Sequence, residues 1–259
     1  YYQASADQIA GMSSASLTID MGDMGKIKFD QGSGSGLSNI DDKTPTAAEE
    51  VWDGLDVATG TTEGGLVGAG NSGAWNYVNT YGGWKLDASY LNDGGGTHGD
   101  GATSPGSAES SIDFAVTGAL SDQMAVGFGY GKIGNNTAND LNEDDTEYTI
   151  FANYTFGMGT FGYQYSNIDE GTSGGVNQVA NAWGLAVNVN DNLSVSYGER
   201  EVEYQNPGAV DVTEDVEGFA VAYTMGSIKI AGNINEAKNR QGTTDAKDEM
   251  TEIAVSFAF

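Results

Sequence analysis

From about residue 13 to the end of the chain, apolar and polar side chains alternate one by one in short runs. "SLTID" sets Leu17 and Ile19 against Thr18 and Asp20, and "KIKFD" sets Ile27 and Phe29 against Lys26, Lys28 and Asp30. "GWKLDASY" opposes Trp84, Leu86, Ala88 and Tyr90 to Lys85, Asp87 and Ser89. "SIKIAGNIN" opposes Ile228, Ile230 and Ile234 to Lys229, Ala231 and Asn233. Period two is the mark of a strand, whose successive side chains point to opposite faces. The pattern predicts thirteen strands, at roughly 13–21, 24–32, 74–81, 83–93, 109–120, 124–134, 147–157, 159–169, 177–190, 193–204, 216–226, 227–239 and 249–259.

The connections alternate as well. Short turns fall at 22–24, 82–83, 121–123, 157–159, 190–192 and around Gly226. Long polar stretches fall at 33–73, 93–108, 134–146, 169–177, 205–215 and 239–248. This sorting describes antiparallel strands with turns at one end and loops at the other, the plan of a transmembrane barrel. Greek-key sandwiches do not sort their loop lengths by end. The minor face is mostly Ser, Thr, Asn, Gly and Ala, which suits a hydrated lumen better than the Lys- and Glu-rich surface of a soluble β protein. Aromatics cluster near both strand ends on the oily parity: Trp84, Phe156, Phe161 and Tyr223 toward the turns, Tyr90, Tyr148 and Tyr165 toward the loops. Two such girdles mark the two membrane interfaces. The fold class expected is therefore all-β, a transmembrane antiparallel β-barrel, with Phe257 and Phe259 facing lipid at the periplasmic rim. Segments 13–21 and 249–259 run the same way, so an even barrel needs an odd number of strands before residue 13, and residues 1–6 are expected to end one of them. Residues 1–259 read as one domain, incomplete at its N-terminus. The chain begins "YYQASADQIAG", without initiator Met or signal peptide, as expected of a processed chain or one lacking its natural start.

Composition sharpens this picture. The chain holds 39 Gly, 13 Tyr, 9 Phe and 4 Trp against 3 Pro, a balance suited to turn-rich β structure and poor for helix. The net charge of −27 argues against nucleic acid, whose binding needs clustered Lys and Arg. With no Cys there is neither a disulfide framework nor a thiolate metal site. No apolar run approaches the ~18 residues of a spanning helix.

"MGKIKFDQG" (24–32) leading into a long internal loop, "YTFGMGTFGYQYSNIDE" (154–170) as two strands about a glycine turn, and the terminal "VSFAF" together resemble the trimeric general porins of Gram-negative bacteria, of the alphaproteobacterial type. The resemblance covers essentially the whole chain and implies sixteen strands in the full protein, the first three absent here. It also implies a homotrimer in the outer membrane, in contact with lipid and lipopolysaccharide, forming a water-filled pore for ions and small polar solutes. Residues 33–73 are by the same resemblance the loop that folds inward and constricts the pore. The mixed polarity of "WNYVNTYG" suits burial against a neighbour or loop. The alternatives are a structural or adhesive outer-membrane barrel without an open channel, and a soluble secreted acidic β protein.

The candidate pore residues follow from that placement. The loop carries Asp41, Asp42, Glu49, Glu50, Asp53 and Asp56 opposed by Lys43. The wall carries Lys26, Lys28, Lys85, Arg200 and Lys229 on lumen parity, balanced by Asp20, Asp30, Asp87 and Asp113. Acids on the loop outnumber bases, so a weakly cation-selective pore is expected. "TPTAAEEVW" also predicts a short helix, with Thr44 as N-cap and Pro45 at the first helical position. No enzyme site is expected. The only histidine, His98, sits in the Gly-rich stretch "GGGTHGDGATSPGS" without a partner fixed by spacing, and "GSGSG" and "GFGYGKIG" lack the GK[ST] of a phosphate loop. No cofactor is expected beyond a structural Ca²⁺ at Asp140, Glu143, Asp144 and Asp145, which lack the spacing of an EF-hand.

Overall fold

The computed structural model describes residues 16–31, 36–55, 66, 72–92, 110–134 and 143–258. Residues 1–6, Asp56, His98, Asp140 and Phe259 lie outside the described residues, as does the side chain of Asp30.

Among the described residues thirteen strands pair in sequence order into one sheet: β1 Ser16–Asp20, β2 Lys26–Gln31, β3 Ser72–Tyr81, β4 Trp84–Leu91, β5 Ser111–Ser121, β6 Met124–Ile133, β7 Asp145–Phe156, β8 Gly159–Asp169, β9 Asn177–Asn190, β10 Leu193–Gln205, β11 Val212–Met225, β12 Ile228–Lys238 and β13 Lys247–Phe257. Every pairing is antiparallel, so β1 and β13 point the same way. The short connections all fall at one end. At the two-residue turn between Tyr81 and Trp84, Gly82 and Gly83 both take positive φ, +56° and +87°. Two central residues with φ > 0 give the turn twist that matches flanking strands, and glycine adopts it without steric cost.

The two faces of the sheet are inverted relative to a water-soluble protein. Leu17, Ile112, Ile150, Phe161, Phe219, Ile234, Ile253 and Phe257 are exposed, while Asn76, Asp87, Ser89, Thr149, Gln164, Ser166, Ser196, Asn233 and Asn235 are buried. Exposed large apolar side chains together with buried polar ones are the informative departures from ordinary burial. The buried polar face is buried because residues 36–55 lie along it, and that face is here called inner. Registry confirms the parity: Lys28 stands opposite Thr18 and Asn76, and Lys229 opposite Thr224 and Ser256, all inner, whereas Ile230 pairs with Tyr223 and Val255, all outer.

What core there is sits between the inward segment and the wall, in two apolar patches. One joins Leu37, Ile40 and Leu66 to Ala115 and Phe151; the other joins Leu55, Val51 and Trp52 to Val216, Ala237 and Met250. The helix expected from Thr44 is not formed. Residues 44–50 are bends and irregular backbone, and a short 3-10 turn at Gly36–Ile40 is the only regular structure among residues 36–55. The physical reason is competition for backbone groups. Helix formation would need the amides and carbonyls of this stretch, and wall side chains already hold several of them.

Candidate inner-face site

The segment 36–55 is tied down at successive strands. Gly36 N donates to Asp87 Oδ1 (2.9 Å), Leu37 N to Asp113 Oδ1 (2.9 Å) and Asn39 Nδ2 to Asp87 Oδ2 (2.7 Å), which fixes the 3-10 turn on β4 and β5. Further along, Gln164 Oε1 accepts Lys43 N at 2.7 Å while its Nε2 donates to Ile40 O (2.8 Å) and Asp41 O (3.0 Å). Asn153 Nδ2 donates to Lys43 O (2.9 Å), and Ala47 N donates to Ser196 Oγ (2.9 Å). At the far end Asn235 Nδ2 reaches both Asp53 O (2.8 Å) and Glu50 O (3.2 Å). The segment thus follows the inner wall from β4 to β13.

Its acids are gathered by this path. Asp41, Asp42, Glu50 and Asp53 are partly exposed and Glu49 is exposed. Lys43 Nζ is held by Asp42 Oδ1 at 3.1 Å. Burial, and then the charge of Asp42, pushes Asp41 up to about 7. Burial is also the first cause raising Glu50, with Asp42, Glu49 and Asp53 adding to it. Carboxylates crowded at low hydration favour their neutral forms.

The wall bases are placed on the inner face, and among them Arg200 departs from its expected role. Lys26 pairs with Asp20 at 3.1 Å and Lys85 with Asp87 at 3.0 Å, both lysines keeping about half their side-chain surface in solvent. Lys28 and Lys229 share that face. Arg200 does not present its charge to solvent: it is 4% exposed, its guanidinium 4.9 Å from the centre of the Trp52 ring. Trp52 is carried over it because residues 50–55 turn back on the β11–β13 patch. Asp87 and Asp113 are likewise not open wall charges. Both are buried and spent on backbone amides of the 3-10 turn.

The clamping side chains Gln164, Asn153, Ser196 and Asn235 were not singled out from sequence. Their signal was an amide or hydroxyl on lumen parity, and many lumen positions share it. Among the candidate Ca²⁺ residues, Asp144 pairs with Lys132 and Asp145 Oδ1 accepts Gly171 N at 2.8 Å. Among the described residues no three His, Cys, Asp or Glu are grouped to hold a metal ion.

A family model described as Gram-negative porin matches residues 5–259. No curated protein matches the chain. A porin structure refined at 1.8 Å resolution is similar at TM-score 0.62 and 17% identity, over 92% of this chain and 79% of its own. The outer membrane protein OmpT of Vibrio cholerae is similar at TM-score 0.65 and 16% identity, over 95% of this chain and 80% of its own. An anion-selective porin from Comamonas acidovorans is similar at TM-score 0.65 and 15% identity, over 95% and 77%. At such identities the likeness to the solved structures is one of fold.

Proposed function

The chain belongs to the Gram-negative porin family, and on that premise we propose that it forms a water-filled, weakly cation-selective pore for passive diffusion of ions and small polar solutes. It is an outer-membrane channel protein and not an enzyme. The observation that carries the proposal is the polarity of the two faces: apolar side chains exposed outward, and a polar wall lined by an acidic segment inward. A barrel with that cross-section holds water, and its ion preference follows the charges at the narrowest section.

The arrangement of charge supports cations. Lys26 and Lys85 are each paired, Arg200 is covered, and Lys43 is held by Asp42. The exposed balance on the segment is then acidic, from Asp41, Glu49, Glu50 and Asp53. Charges on the external loops matter less, because screening over ~8 Å in physiological salt separates them from the bore. Assembly as a homotrimer is part of the same reading. OmpT of Vibrio cholerae is known in a trimer form, and the outer face of β3 mixes Trp75, Tyr77, Asn79 and Tyr81. Deleting residues 43–50 and measuring single-channel conductance in planar bilayers tests the proposal. Conductance rises if the segment narrows the bore, and an unchanged value would remove the constriction from the account.

A further inference from the structure

Four glycines stand side by side across the inner wall. Gly162 on β8 is opposite Gly184 on β9, Gly184 opposite Gly198 on β10, and Gly198 opposite Gly218 on β11. The same row continues to Asn153 on β7 at one end and Asn235 on β12 at the other. Glycine inside a strand weakens it, and it often marks a place where another backbone approaches closely. None of the four has positive φ, so backbone conformation does not explain them. Space does. A Cβ on Gly162 would run into the Pro45 ring and the Asn153 amide. One on Gly184 would lie 2.7 Å from Pro45 O, and one on Gly218 would lie 3.0 Å from Val51 Cα and would strike the Asn235 amide. At Gly198 the new atom would meet Val51 Cγ1 at 3.1 Å and the Trp183 carbonyl at 2.8 Å.

We propose that this row is the seat of the inward segment, and that Gly162, Gly184, Gly198 and Gly218, with Asn153 and Asn235 as end clamps, are positioning residues that set the width of the bore. The proposal rests on the reading above that the inward segment narrows the pore. Without side chains the row is a shallow trench, and Pro45 and Val51 sink into it. Each Asn then locks one end, Asn153 through Lys43 O and Asn235 through Glu50 O and Asp53 O. A side chain added in the trench lifts the segment toward the axis or detaches it. Overpacking of this kind lowers the ratio of seated to detached segment by roughly 5- to 150-fold per site.

The test uses Gly184→Val and Gly218→Val in the whole protein, with Ala231→Val as a control that adds methyl groups to the inner wall away from the row. Valine favours strands, so the barrel itself is not weakened by the change. Folding is checked by heat-modifiable electrophoretic mobility, and function by single-channel conductance. Asn235→Asp supplies a variant of unchanged size, whose carboxylate faces two carbonyl oxygens. The glycine variants and Asn235→Asp are expected to change conductance by roughly twofold with added current noise, since bore width governs flow. Ala231→Val is expected to leave the traces quiet and at the wild-type level. Folded glycine and Asn235→Asp channels with wild-type conductance would overturn the seat. If deletion of 43–50 still raises conductance in that case, only the seat is lost. If deletion also changes nothing, the constriction itself is lost. Should the valine variants not fold, Asn235→Asp decides alone by the same two outcomes.

Discussion

Replacing Gln164 by Met keeps the length of the side chain and removes its polar end. Gln164 is buried and serves three backbone groups of the inward segment: it accepts from Lys43 N at 2.7 Å and donates to Ile40 O at 2.8 Å and Asp41 O at 3.0 Å. Each buried group left unpaired costs about 1–3 kcal/mol. The three lie beside a hydrated interior, so water recovers part of the loss, and a net penalty of about 2–4 kcal/mol against the seated segment is expected. At 1.4 kcal/mol per decade this lowers the seated-to-detached ratio by about 30- to 700-fold. The strand ladder is untouched, so the folded band on heat-modifiable electrophoresis should persist at the wild-type transition temperature. Planar bilayer recordings should show higher and flickering conductance. A folded Gln164→Met channel that is as quiet and as conductive as wild type would refute the reasoning.

Three further outcomes follow from the same geometry. Neutralising Glu49, Glu50 and Asp53 together as Gln, Gln and Asn should move the reversal potential in a salt gradient toward anion preference, and no movement would place these acids away from the narrowest section. Because burial and Asp42 hold Asp41 at about 7, its charge is lost as pH falls through that value; cation preference should weaken from about pH 8 to about pH 6, and a flat profile would contradict this charge assignment. Trp52→Ala should uncover Arg200, now 4.9 Å beneath the ring, and reduce cation preference, whereas Trp52→Phe should retain it; equal reversal potentials in the two variants would show that Trp52 does not mask the arginine.

The strand pattern was legible because one physical rule governs all of it. Leu17, Ile112, Ile230 and Phe257 lie exposed on the outer face, their neighbours lie on the inner face, and period two records both. Thirteen strands and their parities followed, and boundaries shifted most at β11, which begins at Val212 where 216 was expected. The inward segment was harder to read. "TPTAAEEVW" carries local helix signals, yet its backbone groups are claimed by Ser196 and Asn235, residues roughly 150 to 185 positions away. Local propensity has no access to partners at that distance. Arg200 illustrates the same limit: its parity was right, but only the fold reveals that Trp52 covers it. The glycine row is visible only when Gly162, Gly184, Gly198 and Gly218 are aligned by register, since in sequence they are unevenly spaced.

The central claim is an open, hydrated bore narrowed by residues of the inward segment. The most direct measurement is single-channel conductance of the purified protein in planar bilayers, with polyethylene glycols of graded size added to the bath. Small polymers should enter and lower the conductance, large ones should be excluded, and deletion of residues 43–50 should move the cut-off to larger polymers. A protein that inserts and folds but passes no current, or whose polymer cut-off is indifferent to that deletion, would contradict the account.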